Sequence, residues 1–490
     1  MKRLFAVIVL ICAAFMPSAA QDEPAEELFY DADFFYTQEE DYEEAAYLFR
    51  QLLRKEPDNA HAKFLLGMCY LNILGEEHLA IPYFQEASEK ISLNFRANRY
   101  TEKNAPHHTW FYLGEAYRIN NQLDEALEAL DEFQSLKEFE KKYNLRITEE
   151  ARGAIERAKI IKDAPLEVRM HLYEEPINTT RNDYSGVISG NEEMMVWVRS
   201  QAFYEAVMMS TKVNGEWTVP INITPQLRSD GDLFPTGLSM DGTTLLLVKR
   251  RRSGSDIWYS QYDGLIWSPA VPLHGEVNSR WVEDHASFNP EGNRIYFSSD
   301  RRGSVGGLDI YYSRLQPDGS WGKPVNMGKE INTEKDETSA YVSPDKSRFI
   351  FSSRDHFTMG GYDIFRCERQ EDGSLGKPVN IGFPINTTGD NTFYVPLGDG
   401  MSGIYSRYSV DGLGGQDLWF VQIVPENGVI RTTLPVTGIP GGLSHRDFTI
   451  VVVDEQTGEE IEVHYDAGRD TFQVQSGADK NYRVTPYKQQ

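Results

Sequence analysis

Cysteine is scarce in this sequence, with three residues among 490. Cys12 falls in an apolar N-terminal run, and the other two, Cys69 and Cys367, fall in different predicted domains. A disulfide between them is therefore not expected, and a disulfide framework is excluded as the source of stability. A chain of this length has room for two to four domains, each of which needs its own packed core.

Basic residues are also in short supply, because 49 lysines and arginines face 74 aspartates and glutamates, for a net charge of −25. Nucleic-acid binding requires a basic face, so no nucleic-acid partner is expected. Direct adsorption to anionic lipid is disfavoured for the same reason. Beyond the first twenty residues no apolar run is long enough to span a bilayer, so no transmembrane segment is predicted in the mature chain.

Familiar catalytic signatures are missing as well. The sequence contains no Gly-x-Ser-x-Gly, no His-Glu-x-x-His and no phosphate loop. His107 and His108 stand together before Trp110, but no further metal ligands are evident within range, so a role at a helix start is predicted instead. These observations predict a protein that is not an enzyme and uses no cofactor or metal.

The N-terminus has the pattern of a secretory signal over residues 1–20. Cys12 is not preceded by a small residue, so lipid attachment at this position is not expected. The sequence therefore predicts an exported, periplasmic protein. The signal consists of a basic start at Lys2 and Arg3, an apolar region over 4–15 and small residues at 18–20.

One phrase recurs between about residues 181 and 425, in which an aspartate is followed by Ile or Leu and then by an aromatic residue. The spacings between its four copies are 53, 54 and 54 residues, and a fixed period in this range is typical of repeat architectures. Each period contains four short apolar runs joined by Asp, Gly and Pro turns, which predicts one blade of a β-propeller. The repeated aspartates are Asp256, Asp309, Asp363 and Asp417.

A degenerate copy over residues 182–224 raises the number of blades to five, and a sixth, more divergent blade is left open. The fifth blade lacks a fourth strand before the sequence changes near Val429. Residues 166–176, in contrast, resemble a fourth strand without a blade, because they lead into the same Ile-Asn-Thr ending found at 330–333 and 384–387. We expect this strand to complete the last blade, since closing the ring removes free sheet edges.

The N-terminal part, residues 21–163, has helical periodicity and resembles tetratricopeptide repeats. Its small residues would let paired helices approach closely, and three pairs with a closing helix over about 148–161 are enough for a stacked α-solenoid. Extra residues around 94–106 predict a lengthened helix or an inter-repeat loop. The three copies are Tyr36 to Pro57 without the glycine, Leu66-Gly67 with Tyr70 and Ala80, and Trp110 to Tyr117 followed by Ala126.

The C-terminal part, residues 434–490, alternates apolar and polar residues and predicts a small β-sandwich. The predicted fold is therefore multidomain, α followed by all-β, with a helical solenoid, a five-bladed propeller and a sandwich. The assigned ranges are 1–20 for the signal peptide, 21–163 for the solenoid, 166–430 for the propeller and 434–490 for the sandwich.

Two stretches carry a family resemblance. Ser-Ser-Asp-Arg … Gly-Gly-x-Asp-Ile-Tyr at 298–311 resembles TolB-like (WD40-like) propeller repeats, and Val452 to Glu459 resembles carboxypeptidase-regulatory-like domains. The domain order is similar to that of PorE-like envelope proteins of the Bacteroidota, some of which are associated with type IX secretion. The resemblance implies outer-membrane association. This sequence departs from that pattern because it has neither their lipid-attachment cysteine nor their C-terminal OmpA-like domain, which binds peptidoglycan.

Two sets of charged residues recur in the predicted propeller. The repeated aspartates could line a cation site, but a structural role also explains them, because each can accept N–H bonds from the Gly-rich loop before it. Arginines at equivalent loop positions could form a basic ring at one channel mouth that holds a carboxylate-bearing ligand. Salt bridges to Asp300 and Asp355 are the alternative. The arginines are Arg250 within the run 249–252, Arg301, Arg354 and Arg407.

Two hypotheses about function follow. The first is a non-enzymatic scaffold of the cell envelope that binds protein partners through the solenoid groove and a propeller face. The second is a propeller that binds or hydrolyses glycan or peptidoglycan, with Trp281, Tyr362 and Tyr408 stacking on sugars. A fold alone does not decide between them.

Overall fold

The computed structural model describes residues 23–137, 139–251, 254–424, 429–434, 448–454, 460–461, 463–466, 471–477 and 482–488, with side chains described up to residue 424. The predicted signal peptide, with Cys12, and Arg252 lie outside these residues. Contacts between Cα atoms divide the chain into two compact units. The first comprises Met1–Tyr117 and Glu128–Lys137, and the second comprises Arg118–Leu127 and Glu138–Gln490.

Helices occupy the described residues from Ala25 to Asp163, in the order that the repeat pattern predicts. Asparagine or aspartate begins several of them; Asn59, for example, accepts a hydrogen bond from the amide of Ala62 and so satisfies one free N–H of the first turn. The helices are α1 Ala25–Phe34, α2 Tyr42–Lys55, α3 Ala60–Leu71, α4 Ala80–Ser88, α5 Thr109–Ile119, α6 Leu123–Gln134 and α7 Leu145–Asp163, with a π-helical turn at Phe35–Glu39 and 3-10 turns at Glu77–Leu79 and Phe139–Lys141.

The close approach within a helix pair depends on glycine, as the pattern predicts. A Cβ atom on Gly67 of α3 would lie 2.7 Å from Cε1 of Phe84 on α4, closer than two carbon atoms can pack. Phe84 is fully buried in the core of this unit together with Phe49 and Leu66. The closing helix α7 spans Leu145–Asp163, three residues earlier and two later than expected.

The extra residues before α5 form a loop rather than a longer helix. A short parallel pair joins its two ends, β1 Ile91–Ser92 and β2 Ala105–Pro106. The carbonyl of Lys103 in this loop accepts hydrogen bonds from the amides of Ala60 and His61, 2.9 and 3.3 Å away. The loop therefore satisfies backbone groups at the start of α3 that a helix leaves free.

Five antiparallel sheets follow, as predicted; four of them have four strands, and the sheet of blade 1 has five because both β7 and β8 pair with β6. Their innermost strands carry a bulge in blades 1 to 4. The strands are, after β3 Val168–Leu172, β4 Asp183–Ile188, β5 Met194–Ser200, β6 Glu205–Val213, β7 Glu216–Trp217 and β8 Ile221–Asn222 in blade 1, followed by the short helix α8 Thr224–Leu227; β9 Leu233–Leu238, β10 Thr244–Arg251, β11 Gly254–Gln261 and β12 Val271–Pro272 in blade 2; β13 Glu283–Phe288, β14 Arg294–Ser299, β15 Asp309–Arg314 and β16 Val325–Asn326 in blade 3; β17 Glu337–Val342, β18 Arg348–Ser353, β19 Asp363–Glu368 and β20 Val379–Asn380 in blade 4; and β21 Val395–Leu397, β22 Ser402–Tyr408 and β23 Gln416–Ile423 in blade 5.

The N-terminal strand β3 completes blade 5, which confirms the predicted closure. It pairs antiparallel with β23, with Met170 opposite Val421. The strand order in this sheet is β21, β22, β23 and β3, so the first and last strands of the propeller lie side by side. The pairing covers the sheet edge of β23 that an unclosed ring would expose.

The described C-terminal strands form two three-stranded antiparallel sheets. One contains β24 Val429–Leu434, β28 Thr471–Gly477 and β27 Val463–Asp466, and the other contains β26 Glu460–Ile461, β25 Phe448–Asp454 and β29 Tyr482–Lys488. Strand β24 pairs with β28, so the predicted domain boundary at 434 falls at the end of the first strand of these sheets. The sequence Asp454-Glu455-Gln456-Thr457-Gly458 predicts a hairpin turn after β25, and all of it but Asp454 lies outside the described residues.

Candidate functional site

In two of the four blades, the repeated aspartate holds the loop that precedes it through two backbone amides. Asp309 accepts hydrogen bonds from the amides of Val305 and Gly306, at 2.7 and 3.1 Å, and from the side-chain amide of Asn326 at 2.6 Å. Asp417 accepts the amides of Leu413 and Gly414 in the same way. These are the bonds that a structural role requires.

Two of the aspartates depart from this pattern. Asp256 is partly exposed and pairs with Arg251, 3.2 Å away. Asp363 accepts the amide of Met359 through Oδ2, but its Oδ1 is buried and has no hydrogen-bond partner among the described residues. Burial raises the pKa of Asp363 to about 7. The four side chains therefore do not share one environment.

A second repeated residue, which the sequence analysis missed, binds the neighbour of each aspartate. In four blades an asparagine side chain accepts the amide N–H and donates to the C=O of the residue directly after the repeated aspartate, at 2.7–3.0 Å. We call these four residues the asparagine clamps. For three of them the signal was the Ile-Asn-Thr ending, which had served only to recognise a strand, whereas Asn278 lies in the related sequence Val-Asn-Ser. The clamps are Asn178 on Leu418, Asn278 on Ile257, Asn332 on Ile310 and Asn386 on Ile364.

Acidic residues at the start of the innermost strands are also engaged inside their blades. Glu337 accepts the amide and hydroxyl of Thr333, at 2.8 and 2.7 Å. Glu283 and Asp183 accept the equivalent pair of bonds from a serine and a threonine four residues earlier. All three carboxylates are fully buried, so they stabilise the connection between blades rather than face solvent.

Arg301, one of the four predicted mouth arginines, lies inside its own blade. Its Nη2 donates to Glu283 at 2.8 Å and to the carbonyl of Val277 at 2.6 Å. An ion pair was the alternative interpretation, with Asp300 as the expected partner. The observed partner is Glu283, and Asp300 instead accepts a hydrogen bond from the amide of Val282 at 2.9 Å. The guanidinium is therefore committed to a buried ion pair.

The other three arginines lie over aromatic rings in three different blades. Arg354 donates to Asp390 at 3.2 Å and stacks on Tyr362. The carboxylate that pairs with Arg354 is therefore Asp390 rather than the predicted Asp355. These stacks use the guanidinium faces that a basic ring would present to a ligand. The stacking distances are 4.4 Å for Arg250 on Phe234, 4.4 Å for Arg354 on Tyr362 and 5.9 Å for Arg407 on Trp419.

Side chains fill the space between the innermost strands. The hydroxyl of Tyr341 in blade 4 donates to the carbonyl of Thr236 in blade 2 at 2.7 Å, and its ring meets Phe393 of blade 5 edge-on at 6.0 Å. His285 of blade 3 lies 5.7 Å from Phe393 and 2.9 Å from the hydroxyl of Thr338. A cavity of ≈ 50 Å³ remains at the end of the channel where the turns between the first and second strands lie, next to Gly190, Met240 and Pro290. It has room for about one or two water molecules.

The aromatic residues predicted to bind sugar lie in three different blades. Trp281 precedes the first strand of blade 3 and has the guanidinium of Arg280 5.0 Å from its ring. Tyr362 is covered by Arg354, and Tyr408 ends a strand of blade 5. The structure therefore shows no shared platform formed by these three side chains within the described residues.

The helical unit presents half-buried aromatic and thioether side chains from the first helix of each pair. Tyr36 in the π-helical turn after α1, Met68 on α3 and Tyr112 on α5 all pack against one core, and we call these three residues the inner strip. Burial, with Cys69 and Tyr112 nearby, raises the pKa of Tyr36 to about 12. Partly exposed side chains of three successive repeats therefore pack against the same core.

Helix α7 packs on loops of the propeller, within the second unit. Its hydrogen bonds reach the connection between blades 3 and 4 and the Gly-rich loop of blade 4. Two of them are ion pairs between exposed groups, which contribute little, and one goes to a backbone carbonyl. The contacts are Arg146 to Glu334 at 3.2 Å, Lys335 to Glu150 at 2.9 Å and Arg157 to the carbonyl of Thr358 at 2.7 Å.

Arg118 makes a buried contact in the same region. Its guanidinium donates to the carbonyls of Thr388 and Met359. Gly360 makes room for it, because a Cβ atom there would lie 2.2 Å from Nη1 of Arg118. Nothing near Arg118 in the sequence signalled this contact, since its partners are 241 and 270 residues away.

Comparison with family models supports the repeats of the helical part. Residues 36–73 match the tetratricopeptide repeat family model. A comparison with curated proteins gave no match. Among solved structures, TolB from Acinetobacter baumannii is 14% identical with a TM-score of 0.33, over 49% of this chain and 54% of that chain. The putative TolB from Agrobacterium tumefaciens is 18% identical with a TM-score of 0.30, over 49% and 73%.

Glycoside hydrolases are also among the structures with a similar fold. A thermostable family-43 glycoside hydrolase is 13% identical with a TM-score of 0.36, over 55% of this chain and 94% of that chain. The chain spans about half the length of the Acinetobacter TolB that it matches. Likenesses at this level concern the fold alone.

The described residues contain neither a membrane-spanning helix nor a metal-ligand cluster. No helix there is both long and apolar enough to cross a membrane. No group of three or more His, Cys, Asp or Glu side chains is arranged to hold a metal ion in that part of the chain. Cys69 and Cys367 are both buried and unpaired.

Proposed function

We propose that this protein is a non-enzymatic scaffold that binds a helix or an extended segment of a protein partner along the inner strip. Stacked helical repeats curve and so form extended binding surfaces, and the first helices of the pairs line the groove. The propeller provides a second, rigid body on the same chain.

The observation that carries this proposal is the inner strip itself. Tyr36, Met68 and Tyr112 remain half-exposed although they pack against the core. Tyrosine and methionine are enriched at protein interfaces, because both offer apolar area and tyrosine adds a hydroxyl. A partner segment would cover this area and displace water from it.

The non-enzymatic part of the proposal rests on how the propeller uses its polar groups. Its repeated carboxylates and asparagines accept or donate bonds within the blades, as Glu337 does with Thr333. Tyr341 and Phe393 occupy the space between the innermost strands, where a substrate would otherwise enter. Groups already engaged in this way are poorly placed to move a proton or attack a substrate.

A full-length protein with a photo-crosslinking residue at Met68 tests the binding surface directly. We expect a defined protein adduct from Met68, and a loss of about tenfold in affinity for that partner in Tyr36→Ala, the range seen for interface anchors. Tyr47 lies on the second helix of the first pair and is 50% exposed, so crosslinking at Tyr47 and the variant Tyr47→Ala are the matched controls.

Two outcomes would count against the groove. One is equal adducts from Met68 and Tyr47, which would indicate non-specific contact. The other is unchanged partner affinity in Tyr36→Ala while circular dichroism shows an intact helical unit. The full chain is required because α7 packs on the propeller, so a cut at residue 163 would separate contacting parts.

The place of action belongs to the same proposal. We place the protein in the periplasm at the outer membrane, in an assembly linked to type IX secretion, on the basis of the signal pattern and the domain order. Fractionation of the native cells tests this, with recovery in the outer-membrane fraction expected. Recovery in the cytosol would contradict the proposed location, and normal type IX secretion in a deletion strain would contradict the proposed link to secretion.

A further inference from the structure

A cleft opens between blades 2 and 3 of the propeller, on the side of the strand turns. Its volume is ≈ 350 Å³, within the size range of small-molecule sites. The apolar side consists of rings from both blades, and polar side chains surround them. Its lining includes Thr244, Tyr259, Gln261, His274, Phe288 and Trp321.

The cleft coincides with a position that carries an arginine in blades 3 and 4 but a threonine in blade 2; blades 1 and 5 have Met194 and Ser402 there. Thr244 pairs with Gln261 at the start of β10, and the equivalent residues in the next two blades are Arg294, opposite Arg314, and Arg348, opposite Glu368. The guanidinium of Arg294 lies 4.7 Å from the ring centre of Tyr312, which corresponds to Tyr259.

Arg348 fills the next junction in a similar way. It donates to Glu368 of its own blade at 2.9 Å and to the carbonyl of Asp399 in blade 5. A threonine cannot reach across in this manner. The face of Tyr259 is therefore left open, whereas its equivalent in blade 3, Tyr312, is covered by Arg294.

The chemistry of the cleft favours a neutral ligand with many hydroxyl groups. The ring centres of Phe288 and Trp321 lie 6.3 Å apart, and those of Tyr259 and His274 lie 6.0 Å apart, so aromatic rings line the apolar side. Thr244, Gln261 and His274 bring hydroxyl, amide and imidazole groups, which can both donate and accept.

Asp241 gives the lining of the cleft a negative charge. Asp241 accepts hydrogen bonds from Ser239 and from the amide and hydroxyl of Thr243, and these bonds, the serine bond first, hold the pKa of its carboxyl below the usual value. No lysine or arginine is among the described residues that line the cleft. An anionic ligand is therefore disfavoured.

We propose that this cleft binds a neutral saccharide of one or two units. One face of the sugar ring, made of C–H groups, stacks on the aromatic side, and its hydroxyls bond to the polar groups. The site is separate from Trp281, Tyr362 and Tyr408, and it does not depend on the proposed function of the helical unit.

The test measures binding of N-acetylglucosamine, galactose, xylose and cellobiose to the full chain, by ligand-detected NMR and by tryptophan fluorescence, because Trp321 lies in the cleft. Galacturonate and a lysine-containing tripeptide are the charged probes. We expect at least one neutral sugar to bind with millimolar affinity, as suits a small pocket, and neither charged probe to compete.

Thr244→Arg is the decisive variant, because it places in blade 2 the side chain that blades 3 and 4 carry at the same position. It should lower sugar affinity by about tenfold or more. Leu265→Arg, in the exposed turn of the same blade and 83% exposed, adds the same charge and should leave binding unchanged. Thermal denaturation of both variants checks that they fold.

Three results would overturn the proposal. They are no binding of any of the four sugars to the wild type, stronger binding of the lysine tripeptide than of every sugar, and equal sugar binding by wild type and a folded Thr244→Arg. If Thr244→Arg does not fold, Gln261→Ala, an exposed side chain at the cleft rim, replaces it with the same expectation of weaker binding.

Discussion

Removing one asparagine clamp should destabilise the propeller far more than its single side chain suggests. In Asn386→Ala the amide N–H of Ile364 loses its acceptor at 2.8 Å, and the C=O of Ile364 loses one of two donors. The carbonyl keeps the amide of Ile381 at 3.0 Å, so only the N–H is left wholly unsatisfied. A buried unsatisfied group costs ~1–3 kcal/mol and the lost second bond adds ~1, so we expect a loss of about 3 kcal/mol.

Blade 1 supplies the design for a graded control. There Thr224 stands in the asparagine position, and its hydroxyl accepts the amide of Val207 at 2.8 Å, the first of the two bonds. Asn386→Thr should therefore restore the acceptor and cost less than Asn386→Ala. Val410→Ala, at a residue that is 86% exposed, is the surface control.

Urea denaturation followed by tryptophan fluorescence measures the loss, because seven of the eight tryptophans, from Trp197 to Trp419, belong to the propeller. A midpoint shift without a change in slope is needed, since a two-unit chain need not unfold in one step. If Asn386→Ala stays within about 0.5 kcal/mol of wild type, the range of ordinary surface changes, the clamp does not stabilise its blade and the reasoning fails.

The helical unit provides two further predictions. Burial lowers the pKa of His61 to about 4 from 6.5, so the unfolded chain takes up the proton first as the pH falls. The free energy of unfolding should therefore decrease below pH 6.5, by about 2 kcal/mol near pH 5. Circular dichroism should show this loss in wild type and in the exposed control His78→Gln, and a loss of equal size in His61→Gln would contradict the assignment. Gly67→Ala should destabilise the unit by about 1–2 kcal/mol, because the clash with Phe84 outweighs the better helix propensity of alanine. A higher melting temperature for this variant would show that the helices can separate without cost.

Periodic features of this protein were predictable, and contacts between distant residues were not. The spacing of the repeated aspartates predicted the blades, and the Ile-Asn-Thr endings predicted that β3 closes blade 5. The role of Asn178 was hidden in the same motif, because its partner Leu418 lies 240 residues away and only the ring closure brings them together. Sequence patterns report which face of a strand is buried, but they do not report which backbone group a polar side chain will meet.

The predicted arginine ring shows the opposite limit. The strand pairing shows that Arg301 and Arg354 do not occupy equivalent positions of the repeat. Arg301 lies two residues, and Arg354 one residue, after the serine that is opposite the repeated aspartate. Arg301 reaches a buried glutamate, and Arg354 reaches an aspartate and a tyrosine. Similar loop sequences therefore do not establish that two charges share a position in the repeat or a partner.

Positions that break the repeat identify where the propeller does something other than hold itself together. Asp363 lacks the second backbone bond that Gly306 gives Asp309 in blade 3, and in its loop Gly360 has a φ of +132°. That altered loop is the one that meets Arg118 and Arg157 through its carbonyls. The irregular backbone of blade 4 is thus tied to helix docking, just as the threonine at 244 is tied to the open cleft. In a ring of similar sheets, a residue shared by most blades serves the fold, and a position that differs between blades is the better candidate for binding.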